Sequence, residues 1–177
     1  NGNKIAFIGC NAKEKAYATA SASSPGAVHC DNAWLLPAIR ELKDAGYLPI
    51  VTFQHLEYYS YDAKPALQAD FRAAAEAGAV IVSGSQAHQP HAMEFDGAAL
   101  LHYGLGDLFF DQVYFNPESA KAFIDRHLFY GGRYINTQLI TIQFVDYARP
   151  RLMTADERTA LLTTVFTASG WNSAAAP

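Results

Sequence analysis

Val80-Ile81-Val82-Ser83-Gly84-Ser85-Gln86-Ala87-His88-Gln89-Pro90-His91 begins as an apolar, β-branched run, stops at a Gly-Ser turn and hands over to a polar cluster. The run reads as a strand and the turn as its end. Folds of the α/β class place their sites at the carboxyl ends of strands, so chemistry is expected where Gln86, His88 and His91 emerge. A second stretch upstream has the same form: Leu48-Pro49-Ile50-Val51-Thr52-Phe53, then Gln54-His55-Leu56-Glu57-Tyr58-Tyr59. The two strand ends are expected to lie side by side, with their polar tips forming one site.

Working outward, Pro65 opens a helix over residues 66–77, with Leu67, Phe71, Ala74 and Ala75 as its apolar face and Gly78 as its stop. Asp31 or Asn32 can cap an earlier helix over residues 33–45, where Trp34, Leu35, Ala38, Ile39 and Leu42 recur at helical spacing before Gly46. Lys4-Ile5-Ala6-Phe7-Ile8-Gly9 is the first strand-like run. Strand, helix, strand, helix, strand with short connections implies parallel pairing with helices against the sheet.

Beyond Pro90 the pattern changes to short strands joined by turns. Ala92–Phe95 and Ala99–Tyr103 flank Asp96-Gly97, a hairpin signal. Phe123–Tyr130 and Arg133–Tyr147 alternate polar and apolar residues around Gly131-Gly132, which reads as a long antiparallel hairpin broken by Arg149-Pro150-Arg151. Thr154-Ala155-Asp156-Glu157 has the spacing of a capping box for a last helix carrying Leu161, Leu162, Val165 and Phe166.

The chain has 177 residues, half of them apolar, and a formal net charge of −4. That is enough to bury a substantial core, and without a Lys/Arg cluster it argues against nucleic acid as the main partner. No apolar run approaches the roughly 20 residues of a membrane span. Cys10 and Cys30 are either buried thiols or a disulfide pinning the 11–29 loop. The length and small-residue character of that loop favour the disulfide, and with it an exported protein, extracellular or attached to the cell envelope.

His55, Gln86, His88 and His91 are the candidates for chemistry. Imidazoles suit zinc, manganese or iron, and an amide oxygen can add a weak neutral ligand. No serine elbow, phosphate loop, dinucleotide fingerprint or Cys-x-x-Cys pair occurs. Gly104-Leu105-Gly106 lacks a third glycine and reads as backbone packing.

The blocks Ile50–Tyr58, Pro65 with Gln68, Ala77-Gly78-Ala79 through Gly84-Ser85-Gln86-Ala87-His88, and Tyr103-Gly104-Leu105-Gly106-Asp107-Leu108-Phe109-Phe110-Asp111-Gln112 resemble the bacterial capsule-synthesis CapA family, the poly-γ-glutamate biosynthesis proteins. The resemblance covers residues 4 to about 112, a family core of 1–112, with 113–177 as a C-terminal hairpin and helix extension. It implies an α/β fold: half of a four-layer αββα metallophosphatase-like sandwich, a mixed sheet with flanking helices. It implies too that His55, Gln86 and His88 contribute ligands to a divalent metal, Mn, Fe or Zn. Gln86 stands where the family usually has histidine and Leu56 where it has tryptophan, and an amide holds a divalent ion less strongly than imidazole.

The family's N-terminal Gly-Asp strand end, Asn-x-Glu segment and Asn-Asn-His motif are not found in these residues. The missing half is therefore expected as a separate chain after proteolysis, or as a deletion. Two functions follow. One is a metal-dependent hydrolase of phosphoester or related polymer linkages, with His91 or Glu57 as proton donor or orienting group. The other is a non-catalytic protein that binds or escorts an anionic or carbohydrate capsular polymer through Tyr58, Tyr59, Tyr61, Tyr103 and Tyr114.

Overall fold

The structure is a computed structural model and describes residues 2–11, 18–55, 57–108, 110, 116–146 and 149–171. Leu56, Phe109, Asp111, Gln112, Tyr114 and the tail after Trp171 lie outside the described residues.

The elements run β1 (Ile5–Asn11), α1 (Asn32–Asp44), β2 (Leu48–Gln54), α2 (Pro65–Ala77), β3 (Ile81–Gly84), β4 (Met93–Asp96), β5 (Ala99–His102), a 3-10 turn (Pro117–Ala120), β6 (Lys121–Tyr130), β7 (Arg133–Val145), β8 (Arg149–Leu152) and α3 (Ala155–Ala168). The first five strands form a mixed sheet in the order β1-β2-β3-β5-β4. β1, β2, β3 and β5 are parallel, and β4 runs antiparallel to β5 at the edge.

α1 and α2 cover one face of this sheet. Leu35, Ile39, Leu67, Phe71 and Ala74 meet Val51, Phe53, Val82, Leu101 and Tyr103 in one buried cluster. Asp31 caps α1 by accepting from the Ala33 N–H at 2.8 Å, which satisfies a donor the first turn leaves open. At the far end of α2, Gly78 takes φ +120°, a conformation that L side chains rarely adopt. Cys10 and Cys30 form a disulfide, their Cα atoms 5.1 Å apart, and tie the start of α1 to the end of β1.

β6, β7 and β8 make a second, antiparallel sheet. It meets the other face of the first: His102 of β5 pairs with Asp125 of β6, and Asn3 bonds the carbonyl of Phe129 and the N–H of Gly132 at the tip of the β6–β7 hairpin. α3 packs Leu161 and Val165 against Met93 of the first sheet and Phe123 of the second. The layers thus run helix, sheet, sheet, with α3 against residues of both sheets.

One reading of the sequence needs correction. Arg149-Pro150-Arg151 does not break the hairpin but forms β8, pairing Pro150 with Phe144. β8 is an edge strand, where a residue without an N–H is tolerated because that side of the ladder can face solvent.

Candidate functional site

β2 and β3 are parallel neighbours, with Phe53 opposite Gly84, so their carboxyl ends lie side by side. β5 follows β3 in the sheet, which brings a third strand end to the same edge. Two glycines let these ends close on one another. A Cβ on Gly84 would lie 2.1 Å from the Tyr103 carbonyl oxygen, and one on Gly104 would lie 2.5 Å from the Ala87 Cβ. Gly104-Leu105-Gly106 is backbone packing, as read from sequence: Gly106 at φ +79° bridges to Ala122 of β6.

This close approach sets His88, from the turn after β3, against Asp107, from the turn after β5. The His88 Nδ1 is 2.7 Å from the Asp107 Oδ1. On the other side of the ring, Nε2 is 3.5 Å from a carboxylate oxygen of Glu57, which comes from the segment after β2. Tyr59 donates its hydroxyl to the other oxygen of Glu57 at 2.9 Å. Phe110 stacks on the imidazole, with ring centroids 5.0 Å apart. The side chains of His88, Glu57 and Asp107 are 14 %, 32 % and 10 % exposed, so solvent reaches the group from the Glu57 side.

Burial pushes the Asp107 carboxyl above the usual carboxylate range, and the nearby Glu57 charge adds to that, while the hydrogen bond to His88 pulls it back. Its second oxygen is buried without a partner. An imidazole whose Nδ1 is fixed by a carboxylate presents Nε2 in a defined tautomer, the arrangement used for proton transfer and for metal ligation alike.

The other candidate residues sit apart from this group. His55 turns its Nε2 onto Asp70 of α2 at 3.0 Å. Gln86 accepts from the side chain of Gln54, so the two strand-end amides hold each other. His91 is 1 % exposed, stacked on Tyr58 at 4.3 Å with planes 8° apart. Neither of its nitrogens makes a hydrogen bond of ordinary geometry. Burial pushes its pKa down to about 4; the carbonyls of Ser60 and Pro90 nearby oppose this, and the charges of His102 and Lys64 reinforce it. Tyr58 and Tyr103 are core residues, and Tyr61 is committed to Glu118.

His55, Gln86 and His88 do not converge as metal donors, since Asp70, Gln54 and the Glu57–Asp107 pair engage them one by one. Among the described residues no three His, Cys, Asp or Glu side chains are arranged to hold a metal ion. As placed, they do not fit a resident metal.

Asp70 and Asp107 went unassigned in the sequence. The signal for Asp107 was present: it follows a strand end and a glycine pair, the same rule that singled out His88. Asp125 left no signal, because it sits inside β6, and His102, the last residue of β5, was read as part of a longer strand.

The fold and site define a layered α/β protein with a carboxylate-clamped histidine at the ends of neighbouring parallel strands. Residues 1–112 match the bacterial capsule synthesis protein family PGA_cap, and the chain belongs to that family, whose fold is metallophosphatase-like. No curated protein matches the chain.

Proposed function

We propose that this capsule-synthesis protein is a cell-envelope hydrolase of polymer linkages, phosphoester or related, with His88 as its acid–base group. The observation that supports the reading is the 2.7 Å contact of the His88 Nδ1 with Asp107, which leaves Nε2 facing the accessible Glu57 side. In this reading Nε2 takes a proton from the attacking water and returns it to the leaving oxygen, as a positioned histidine does in general acid–base catalysis. Asp107 holds the tautomer. Glu57, fixed by Tyr59, stabilises the imidazolium formed midway. His55 and His91 act as positioning residues behind the two strand ends. The Cys10–Cys30 bridge supports an oxidising, extracytoplasmic setting.

The test is hydrolysis of a chromogenic phosphodiester and of purified capsular polymer by wild type and His88→Gln. The variant is expected to lose roughly 100- to 10,000-fold in kcat, with its thermal midpoint retained. Chelation, or added Mn, Fe or Zn, is expected to leave the wild-type rate within twofold. Full activity in His88→Gln would overturn the assignment. Polymer retention without turnover by the wild type would leave the escort function instead.

A further inference from the structure

The apolar interior is divided. Its larger cluster lies between α1, α2 and the first sheet, and two smaller clusters hold the second sheet and α3, one of them reaching Met93. The second sheet and α3 come from one continuous stretch of chain, residues 117–168. A contiguous unit with few apolar ties to its neighbour is the kind that opens separately from the rest of a fold. The seam between the two units is also incompletely filled: a half-open cavity of about 260 Å³ lies between Phe95 and Leu100 of the first sheet and Tyr134 and Thr137 of the second.

The polar part of this seam is rich in imidazole and short of hydrogen bonds. His102 is paired with Asp125 across the sheets, yet its Nε2, the second Asp125 oxygen and both nitrogens of His91 are buried without a partner of ordinary geometry. His127 of β6 bonds the Thr137 Oγ1 through Nδ1 at 2.7 Å and meets the Tyr134 ring edge-on. The His102 charge acts on both other rings; Lys64, at the start of α2, adds to it at His91, and Asp125 opposes it at His127. Burial is the largest cause at each, holding His91 at about 4 and lowering His127, while the Ser60 and Pro90 carbonyls offset it in part at His91. Once water enters, both rings return toward the ordinary value of about 6.5. The open form therefore binds protons that the closed form refuses. Closure is complete above about pH 6.5 and weakens as pH falls to 4, by roughly 100-fold from His91 alone.

The second sheet also supports the strand end that carries Asp107. Gly106 bridges to Ala122 of β6, and the Phe123 N–H donates to the Leu105 carbonyl at 2.7 Å. Asp107 is the next residue, and it holds the His88 Nδ1.

We propose that acid opens the second sheet and α3 from the first sheet along the seam of His91, His102, Asp125 and His127, and that this opening withdraws Asp107 from His88. The consequence for His88 rests on the catalytic reading; the opening itself does not.

Peptide-resolved hydrogen exchange of the full chain tests the opening, with each rate referred to that of the same peptide unfolded at the same pH. Between pH 7 and pH 4 the peptides of β6, β7 and α3 are expected to lose protection by roughly 100-fold, and those of α1, α2, β2 and β3 by less than about tenfold. Equal loss everywhere, or none, would overturn the proposal from the wild type alone. His91→Leu with His127→Gln removes the two lowered titrations and is expected to keep β6, β7 and α3 protected at pH 4; an undiminished loss in that variant would overturn the role of the histidines. For the site, His127→Gln is expected to move the acid limb of phosphodiester turnover to lower pH together with the exchange transition. A limb that stays while the exchange moves would overturn the link to Asp107. Selective opening in a chain that turns over no phosphodiester would leave this inference standing and remove the catalytic reading, and uniform protection with turnover lost in His88→Gln would do the reverse.

Discussion

His88 and His91 stand three residues apart in one turn, and their surroundings separate them. His88 lies between two carboxylates at an edge open to water, whereas His91 is buried and stacked on Tyr58, without a hydrogen bond of ordinary geometry. A buried imidazole resists protonation, and the Ser60 and Pro90 carbonyls offset this only in part, so its pKa of about 4 lies below that of an unfolded histidine, about 6.5. Between those values the unfolded chain binds the extra proton and the folded one does not. Stability is therefore complete above about pH 6.5 and falls with pH until about 4, by about 3 kcal/mol for this one residue. His127, also lowered by burial, adds in the same direction. Urea midpoints measured across this range are expected to drop toward acid, and His91→Leu, which removes the titration and keeps the apolar volume, is expected to flatten the slope. An unchanged slope in that variant would show that His91 is solvated. The sequence marked both histidines but could not tell them apart: after a strand ends, side-chain direction loses its period of two and is set by contacts with distant turns.

The elements with one strong local signal were legible. α1 and α2 carry helical apolar spacing, a cap or an initial proline, and a glycine stop, and they form within a residue or two of the expected bounds. α3 has its capping box, Thr154 accepting from the Glu157 N–H while the Glu157 carboxylate accepts from the Thr154 N–H. The Arg151 guanidinium and that backbone bond hold Glu157 at about 2, well below the usual carboxylate range. β8 was illegible because proline signals a break in an isolated sequence, and only its place beside β7 makes an edge strand of it. The loop between β1 and α1 depends instead on a covalent tie. Closing about 20 residues removes unfolded-state entropy worth about 3 kcal/mol, so Cys10→Ser with Cys30→Ser, or reduction of the wild type, is expected to lower the unfolding free energy obtained from urea titration by that amount. Circular dichroism should retain the α1 and α2 signal at low denaturant. A loss below about 1 kcal/mol would mean that the loop is held by its strand-like bridges alone.

At the scale of the molecule, the hairpin of β6 and β7 was legible as an extension of the family core, but neither its place as a second sheet against the first nor what joins the two was. His102 closes β5, whose residues are all buried, Asp125 lies within β6, and 23 positions separate them. Their side chains meet at 2.7 Å and are 0 % and 5 % exposed, while Phe123 packs edge-on against the imidazole. The His102 Nε2 and the second Asp125 oxygen are buried without partners, so the pair is already short of hydrogen bonds. Removing one member leaves the other buried and alone, whereas removing both and restoring volume relieves the shortage. Such single losses cost about 3–5 kcal/mol, and apolar replacement of a whole buried pair is often neutral or favourable. His102→Leu and Asp125→Leu are each expected to lower unfolding free energy on that scale, and the double variant to recover most of it, with a coupling of at least about 2 kcal/mol in the double-mutant cycle. Additive losses would show that the two side chains act separately and that the other contacts, the apolar packing of Met93, Phe123 and α3 and the hydrogen bonds of Asn3, hold the second sheet to the first.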